Sequence, residues 1–135
     1  MIIDAKNQIL GRVATFAAKK ALLGEQVSII NCEQAVLTGN KSDIIERYRQ
    51  RIARGQPGQG PYLSRRPDFL VKRMIRGMLP YKKARGKAAF SRIRCYVGMP
   101  EEIKGDAITV KGAEVAKLPN FNYMSIKQLC ALIFR

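Results

Sequence analysis

Residues 76 to 94, RGMLPYKKARGKAAFSRIR, carry seven lysines and arginines and no acid. Side chains of this type at this density are suited to binding a polyanion, because crowded like charge repels itself unless an outside partner neutralises it. The excess reaches further along the chain. Residues 41 to 94 hold 16 basic and 3 acidic side chains, net +13, whereas the other 81 residues hold 9 and 7, net +2. Only Asp43, Glu46 and Asp68 stand among the cations, so the usual picture of a charged helix face balanced by its own acids does not apply. Arginine outnumbers lysine eleven to five in this segment, and the planar guanidinium both forks onto phosphate and stacks on bases. Tyr62, Phe69, Tyr81 and Tyr96 interleave with the cations, which suits an irregular RNA surface. An anionic membrane fits less well, since the apolar stripes here are needed for a core and no broad exposed Trp/Phe/Leu face remains. The residues expected to contact RNA are Arg12, Lys41, Arg47, Arg51, Arg54, Tyr62, Arg65 and Arg66, with Lys72, Arg73, Arg76 and Tyr81. Lys82, Lys83, Arg85, Lys87, Arg92 and Arg94 complete the basic run.

Other chemistries find little footing. The chain has no His, its ten carboxylates are scattered, and Glu101-Glu102 reads as a solvated pair, so no catalytic residue is expected. Cys32, Cys95 and Cys130 are odd in number and far apart, which points to reduced intracellular thiols and to neither a zinc site nor a disulfide framework. TGNKS (38 to 42) imitates the end of a P-loop, but Asn40 separates Gly39 from Lys41 and Gln34 stands where the first Gly belongs. A turn into a helix capped near Asn40 or Ser42 is the simpler reading. GQPGQG fails as a dinucleotide fingerprint, and its proline argues against a KH-type loop. No cofactor, metal or small-molecule substrate is therefore expected. MIIDAKNQIL lacks a signal-peptide pattern and no apolar run approaches the ~18 residues of a membrane span, so a soluble protein is expected. No helix-turn-helix, zinc-finger or RNP signature points to DNA or to sequence-specific mRNA readout.

The elements that must position these residues can be read from periodicity. At 135 residues and 47% hydrophobic content the chain fits one domain with one core. MIID and VSII read as buried parallel strands joined by a helix over GRVATFAAKKALLG, with Gly24 as its stop: a βαβ unit. KSDIIERYRQRIARG (41 to 55) reads as a second helix. GQPGQGPYLSRRP, with three Gly and three Pro, reads as an extended loop, and Pro67 opens a third helix, DFLVKRMIRGML, ended by Pro80. There Leu70, Val71, Met74, Ile75 and Met78 form the apolar side, with Lys72, Arg73 and Arg76 opposite. AAFSR continues as a short helix, and IRCYVG alternates as a half-buried strand with Ile93, Cys95 and Val97 inward. AITV reads as a small strand or ordered loop. A C-terminal helix spans about 125 to 134, with Ser125 and Gln128 forming a capping box. The expected architecture is a three-layer α/β/α domain around a small, mostly parallel (mixed) sheet, with a basic helix–loop extension over 41 to 94.

Taken in order, GRVAT, AAKKALLG, VSIINCEQAVLTGNK, GPYLSRRP and above all RGMLPYKKARGKAAFSRIRCYVGMP resemble the large-subunit ribosomal protein thirteen family over residues 1 to 100. The GPY-x-x-R-x-P stretch is similar to the archaeal and eukaryotic branch, although Leu63 replaces the His of its GPYH. Bacterial members carry His after the Y-x-G turn, where this chain has Met99-Pro100-Glu101-Glu102. The resemblance implies an α/β fold without enzymatic activity. It also implies a cytoplasmic place in ribosomes, bound to large-subunit rRNA and neighbouring ribosomal proteins. It would put Arg65, Arg66, Arg76, Lys82, Lys83, Arg85 and Lys87 on RNA, with Gly77 and Gly86 permitting close backbone approach. The alternative is an extra-ribosomal RNA-binding regulator of translation.

Overall fold

The computed structural model of the chain describes residues 1–103 and 105–134. Its centre is a four-stranded sheet of β1 (Ile2–Asp4), β2 (Val27–Ile30), β4 (Ile93–Cys95) and β5 (Ala107–Ile108). The strands lie in the order β4-β2-β1-β5, and every pair is parallel. The fold is α/β, as the alternation of strand and helix patterns demands. Register follows side-chain character: Ile3 stands opposite Ile29, and Val27 opposite Ile93, all four fully buried. Strands covered on both faces are largely apolar, and in VSII only the half-buried Ser28 interrupts the run.

Helix α1 (Leu10–Leu22) crosses from β1 to β2. Its buried face is Val13, Ala14, Ala17, Ala18 and Ala21, small enough to bring the helix axis close to its neighbours α3 (Pro67–Gly77) and α4 (Ala84–Ser91). Gly24 ends the helix with φ +103°, a conformation that costs other residues a steric clash, and its N–H donates to the Ala21 carbonyl at 3.1 Å. Helix α2 (Lys41–Ala53) starts after Asn40 and packs against α5 (Ile126–Ile133). The expected capping box is present: Ser125 Oγ accepts from the Gln128 N–H at 3.3 Å, and Gln128 Oε1 accepts from the Ser125 N–H at 3.4 Å. α5 then buries Ile126, Leu129 and Ile133.

Three details depart from expectation. The antiparallel part of the structure is a separate two-stranded ribbon of β3 (Val36–Thr38) and β6 (Tyr123–Ser125). Neither strand was foreseen, because three residues are too few for alternation to show. The third helix stops at Gly77, so Met78 falls in the turn beyond it and is 43% exposed. Strand β4 ends at Cys95, and Val97 turns outward at 50% exposure, because the chain has left the sheet. The cysteines are free thiols; burial and the neighbouring Cys95 thiol push the Cys32 thiol far above its usual range.

Candidate nucleic-acid interface

The apolar stripes of α2 and α3 fix which way their cations point. Ile44 and Tyr48 of α2, and Leu70, Val71 and Ile75 of α3, are buried. Arg47, Arg51 and Arg54 are thereby left exposed along α2, as are Arg73 and Arg76 along α3, with Lys72 half-buried. A 570 Å³ groove lies between the helices, lined by Arg51 and Arg54 on one side and Arg73 and Arg76 on the other. Smaller depressions lie beside it and share lining residues with it. One, shared through Tyr48, Arg51 and Met74, adds Arg47. Another, shared through Leu70, Arg73 and Arg76, adds Tyr62, Phe69, Lys72 and Phe90. A last one, shared through Phe69 and Lys72, adds Arg94 and Tyr96. Arg47 and Arg94 thus stand at opposite ends of a row of neighbouring depressions edged with guanidinium and ammonium groups.

Five of these cations lie over aromatic rings, and among the described residues only one is paired with an acid. Guanidinium or ammonium groups lie over Tyr48 (Arg51, 5.1 Å from the centroid), Phe69 (Arg66, 4.9 Å), Phe90 (Lys72, 5.0 Å) and Tyr81 (Arg76, 4.9 Å). Arg65 lies 5.5 Å from the Phe134 centroid. Such stacking orients a cation without neutralising it. Among the described residues, Arg66 is the one cation of segment 41–94 in an ion pair, forking onto Asp68 at 2.6 and 3.2 Å. Asp68, in the first turn of α3 and 8% exposed, also complements the helix dipole there. Asp43 and Glu46 are engaged with Ser42 and Gln50 and leave the arginines untouched. Burial raises the Tyr48 hydroxyl above its usual range, and the nearby Arg51 and Arg47 partly offset this.

A second cluster sits at the start of α4. Lys82, Lys83, Arg85 and Lys87 are exposed, Lys83 is the N-cap, and the first turn contains no acid. The N-terminus of a helix is its positive end, where cations are unfavourable and anions are attracted. Four cations there are unfavourable for the helix by themselves, a cost an outside anion would remove.

The remaining expected residues separate into three kinds. Lys41, Arg65 and Arg94 are exposed. Arg12 and Arg92 serve the protein itself: Arg12 Nη1 donates to the Gly112 carbonyl, and Arg92 Nη1 to the Ala21 carbonyl near the end of α1, at 3.2 Å. Tyr62 is exposed on the loop, its hydroxyl donating to the Pro57 carbonyl at 2.8 Å. The glycines divide. A Cβ on Gly77 would meet nothing within 4 Å, which leaves its surface open to an approaching backbone. Gly86 corrects the expectation: it is buried, and a Cβ would overlap the Pro80 carbonyl, so the close approach it permits is internal.

Sequence reasoning missed the apolar floor of the central groove, Leu63, Leu70 and Met74, because those residues read equally well as core. It also passed over Arg49, whose Nη2 donates to the Leu132 carbonyl of α5 at 3.5 Å. Among the described residues, no group of three or more His, Cys, Asp or Glu side chains could hold a metal, and no helix is long and apolar enough to cross a membrane.

Comparison with known proteins agrees with the residues quoted above. The family model for "Ribosomal protein L13" matches residues 1–102. "Large ribosomal subunit protein uL13" of Methanopyrus kandleri is 43% identical over 131 residues, covering 95% of this chain and 82% of that protein. The protein of the same name from Methanococcoides burtonii is 46% identical over 126 residues, covering 93% and 91%. That from Methanosarcina barkeri is 43% identical over 130 residues, covering 95% and 93%. These matches carry the similarity past residue 102 into the C-terminal part, where the sequence motifs had given no resemblance.

Proposed function

Because this chain belongs to the ribosomal protein L13 family, in its archaeal-type branch, we propose that it is a structural constituent of the large ribosomal subunit. It binds and stabilises folded rRNA through the furrow between α2 and α3 and through the cations that open α4. Its location is the cytoplasm, in ribosomes, next to other proteins of that subunit. The observation that carries the reading is the near absence of internal ion pairs in segment 41–94. Sixteen cations share three carboxylates, and Arg66 alone takes one within salt-bridge distance among the described residues. Phosphates supply the missing charge; shape and 2′-hydroxyl contacts then select the site.

The residues assigned to RNA are Arg47, Arg51, Arg54, Arg73 and Arg76 along α2 and α3, with Lys72 and Arg94 in the smaller depressions beside α3. Lys82, Lys83, Arg85 and Lys87 form a second contact. Two differently shaped basic surfaces on either side of the Gly77–Pro80 break let one small protein hold two parts of a folded RNA. The chemistry is binding, with no bond made or broken. Sedimentation of a cell extract tests the assignment: nearly all of the protein should travel with the large subunit. A substantial free pool would instead favour a regulator acting off the ribosome.

A further inference from the structure

Phosphate binding does not account for the floor of the central groove. Its rim is cationic, with Arg51, Arg54, Arg73 and Arg76, but the surface between is carbon: half-buried Leu63 and Met74, continued by Pro61 and Met78 above the buried Leu70. An RNA duplex offers phosphates and 2′-hydroxyls along a smooth wall and has nothing apolar to place there. An unpaired base does. Its flat face is apolar, and the phosphates on either side of it would reach the four guanidinium groups at the rim.

Size and rigidity agree with this. The open groove has a volume of 570 Å³, within the range of about 300–1,000 Å³ usual for ligand clefts and ample for one base. One wall is fixed by Arg73 Nη1, which donates to the Tyr62 carbonyl at 2.9 Å and ties the 55–66 loop to α3. Arg51 and Arg76 already lie over Tyr48 and Tyr81, so two guanidinium groups are set before RNA arrives. We propose that this groove receives one unpaired base extruded from the RNA, stacked over Leu63 and Met74, with its flanking phosphates on the rim arginines. The inference rests on the rRNA-binding reading above and adds what that reading leaves open, a base-accepting pocket.

The test uses the whole protein and three hairpin RNAs: one with a single bulged nucleotide, one with an abasic residue in the bulge, and one fully paired. The bulged hairpin should bind about tenfold more tightly than the abasic one, the size expected for a single stacked base. A Gly77→Leu variant supplies the second arm. Gly77 lines the groove and a Cβ there meets nothing within 4 Å, so the larger side chain narrows the groove from one wall. Its circular dichroism and melting temperature should match the parent, while the bulged-to-abasic preference falls to about one. Equal affinity of the parent for bulged and abasic hairpins would overturn the pocket while leaving phosphate binding standing. A preference that survives Gly77→Leu would also overturn it, since the base would then lie elsewhere. In intact subunits, ultraviolet crosslinks from groove peptides to nucleotides support the proposal, and crosslinks to another protein would give the groove to a peptide instead. No binding to any hairpin would remove the rRNA reading itself.

Discussion

The guanidinium of Arg76 lies 4.9 Å from the centroid of the Tyr81 ring, joining the end of α3 to the turn beyond the Gly-Met-Leu-Pro break. The ring aims the cation and leaves its charge free. Arg85, in the first turn of α4, is exposed and has no ion pair among the described residues. Replacing both arginines with Glu should therefore abolish retention of rRNA on a filter. The circular dichroism spectrum should be unchanged and stability should move by no more than about 0.5 kcal/mol for each exposed site. Loss of the fold would mean that these side chains are structural.

Gly86 and Gly77 should respond to alanine in opposite directions. At Gly86 the new methyl has no room beside the Pro80 carbonyl and the Tyr81 amide, and backbone atoms cannot swing aside as a flexible side chain can. Gly86→Ala should cost roughly 2–3 kcal/mol in urea unfolding, as overpacking does. Gly77 is helical and unobstructed, so Gly77→Ala should be neutral or stabilising by up to about 1 kcal/mol through helix propensity. Equal responses would contradict the packing described at the break.

Stability should fall on the alkaline side. The Cys32 thiol is raised by its hydrogen bond with the Cys95 thiol, by burial and by the charge of that neighbour; burial raises Tyr48. In the unfolded chain these groups lose protons near their ordinary values of 9.0 and 10.0, while the folded chain retains them. Above pH about 9 the unfolded state thus binds fewer protons, and the unfolding free energy declines as pH rises. Urea midpoints should be level from neutrality to about pH 8 in this respect and drop beyond pH 9. A Cys32→Ala variant should show a shallower alkaline decline; an unaltered slope would exclude the thiol as its source.

Much of this was legible in the residues, for physical reasons that also set the limits. Helices of 11 to 13 residues carry enough periodicity to be found, and Gly24, Pro67 and the Ser125–Gln128 box mark ends because each satisfies a local backbone requirement. Strands β3 and β6 are three residues each and become strands only by pairing with one another. The charge excess of residues 41 to 94 was plain from counting. That Arg51 and Arg54 face Arg73 and Arg76 across one groove was not, since it depends on how α2 and α3 lie together. For the same reason Arg12 and Arg92, cations like the rest in sequence, turned out to bond backbone carbonyls.

The most direct measurement is the salt dependence of binding to the protein's own large-subunit rRNA. If about six to ten phosphates meet the furrow and the α4 cluster, affinity should fall by about three to five orders of magnitude between 50 and 200 mM salt. A logarithmic plot should be linear over that range. A flat response would mean that the cations of residues 41 to 94 are not completed by phosphate, and the functional account would be wrong.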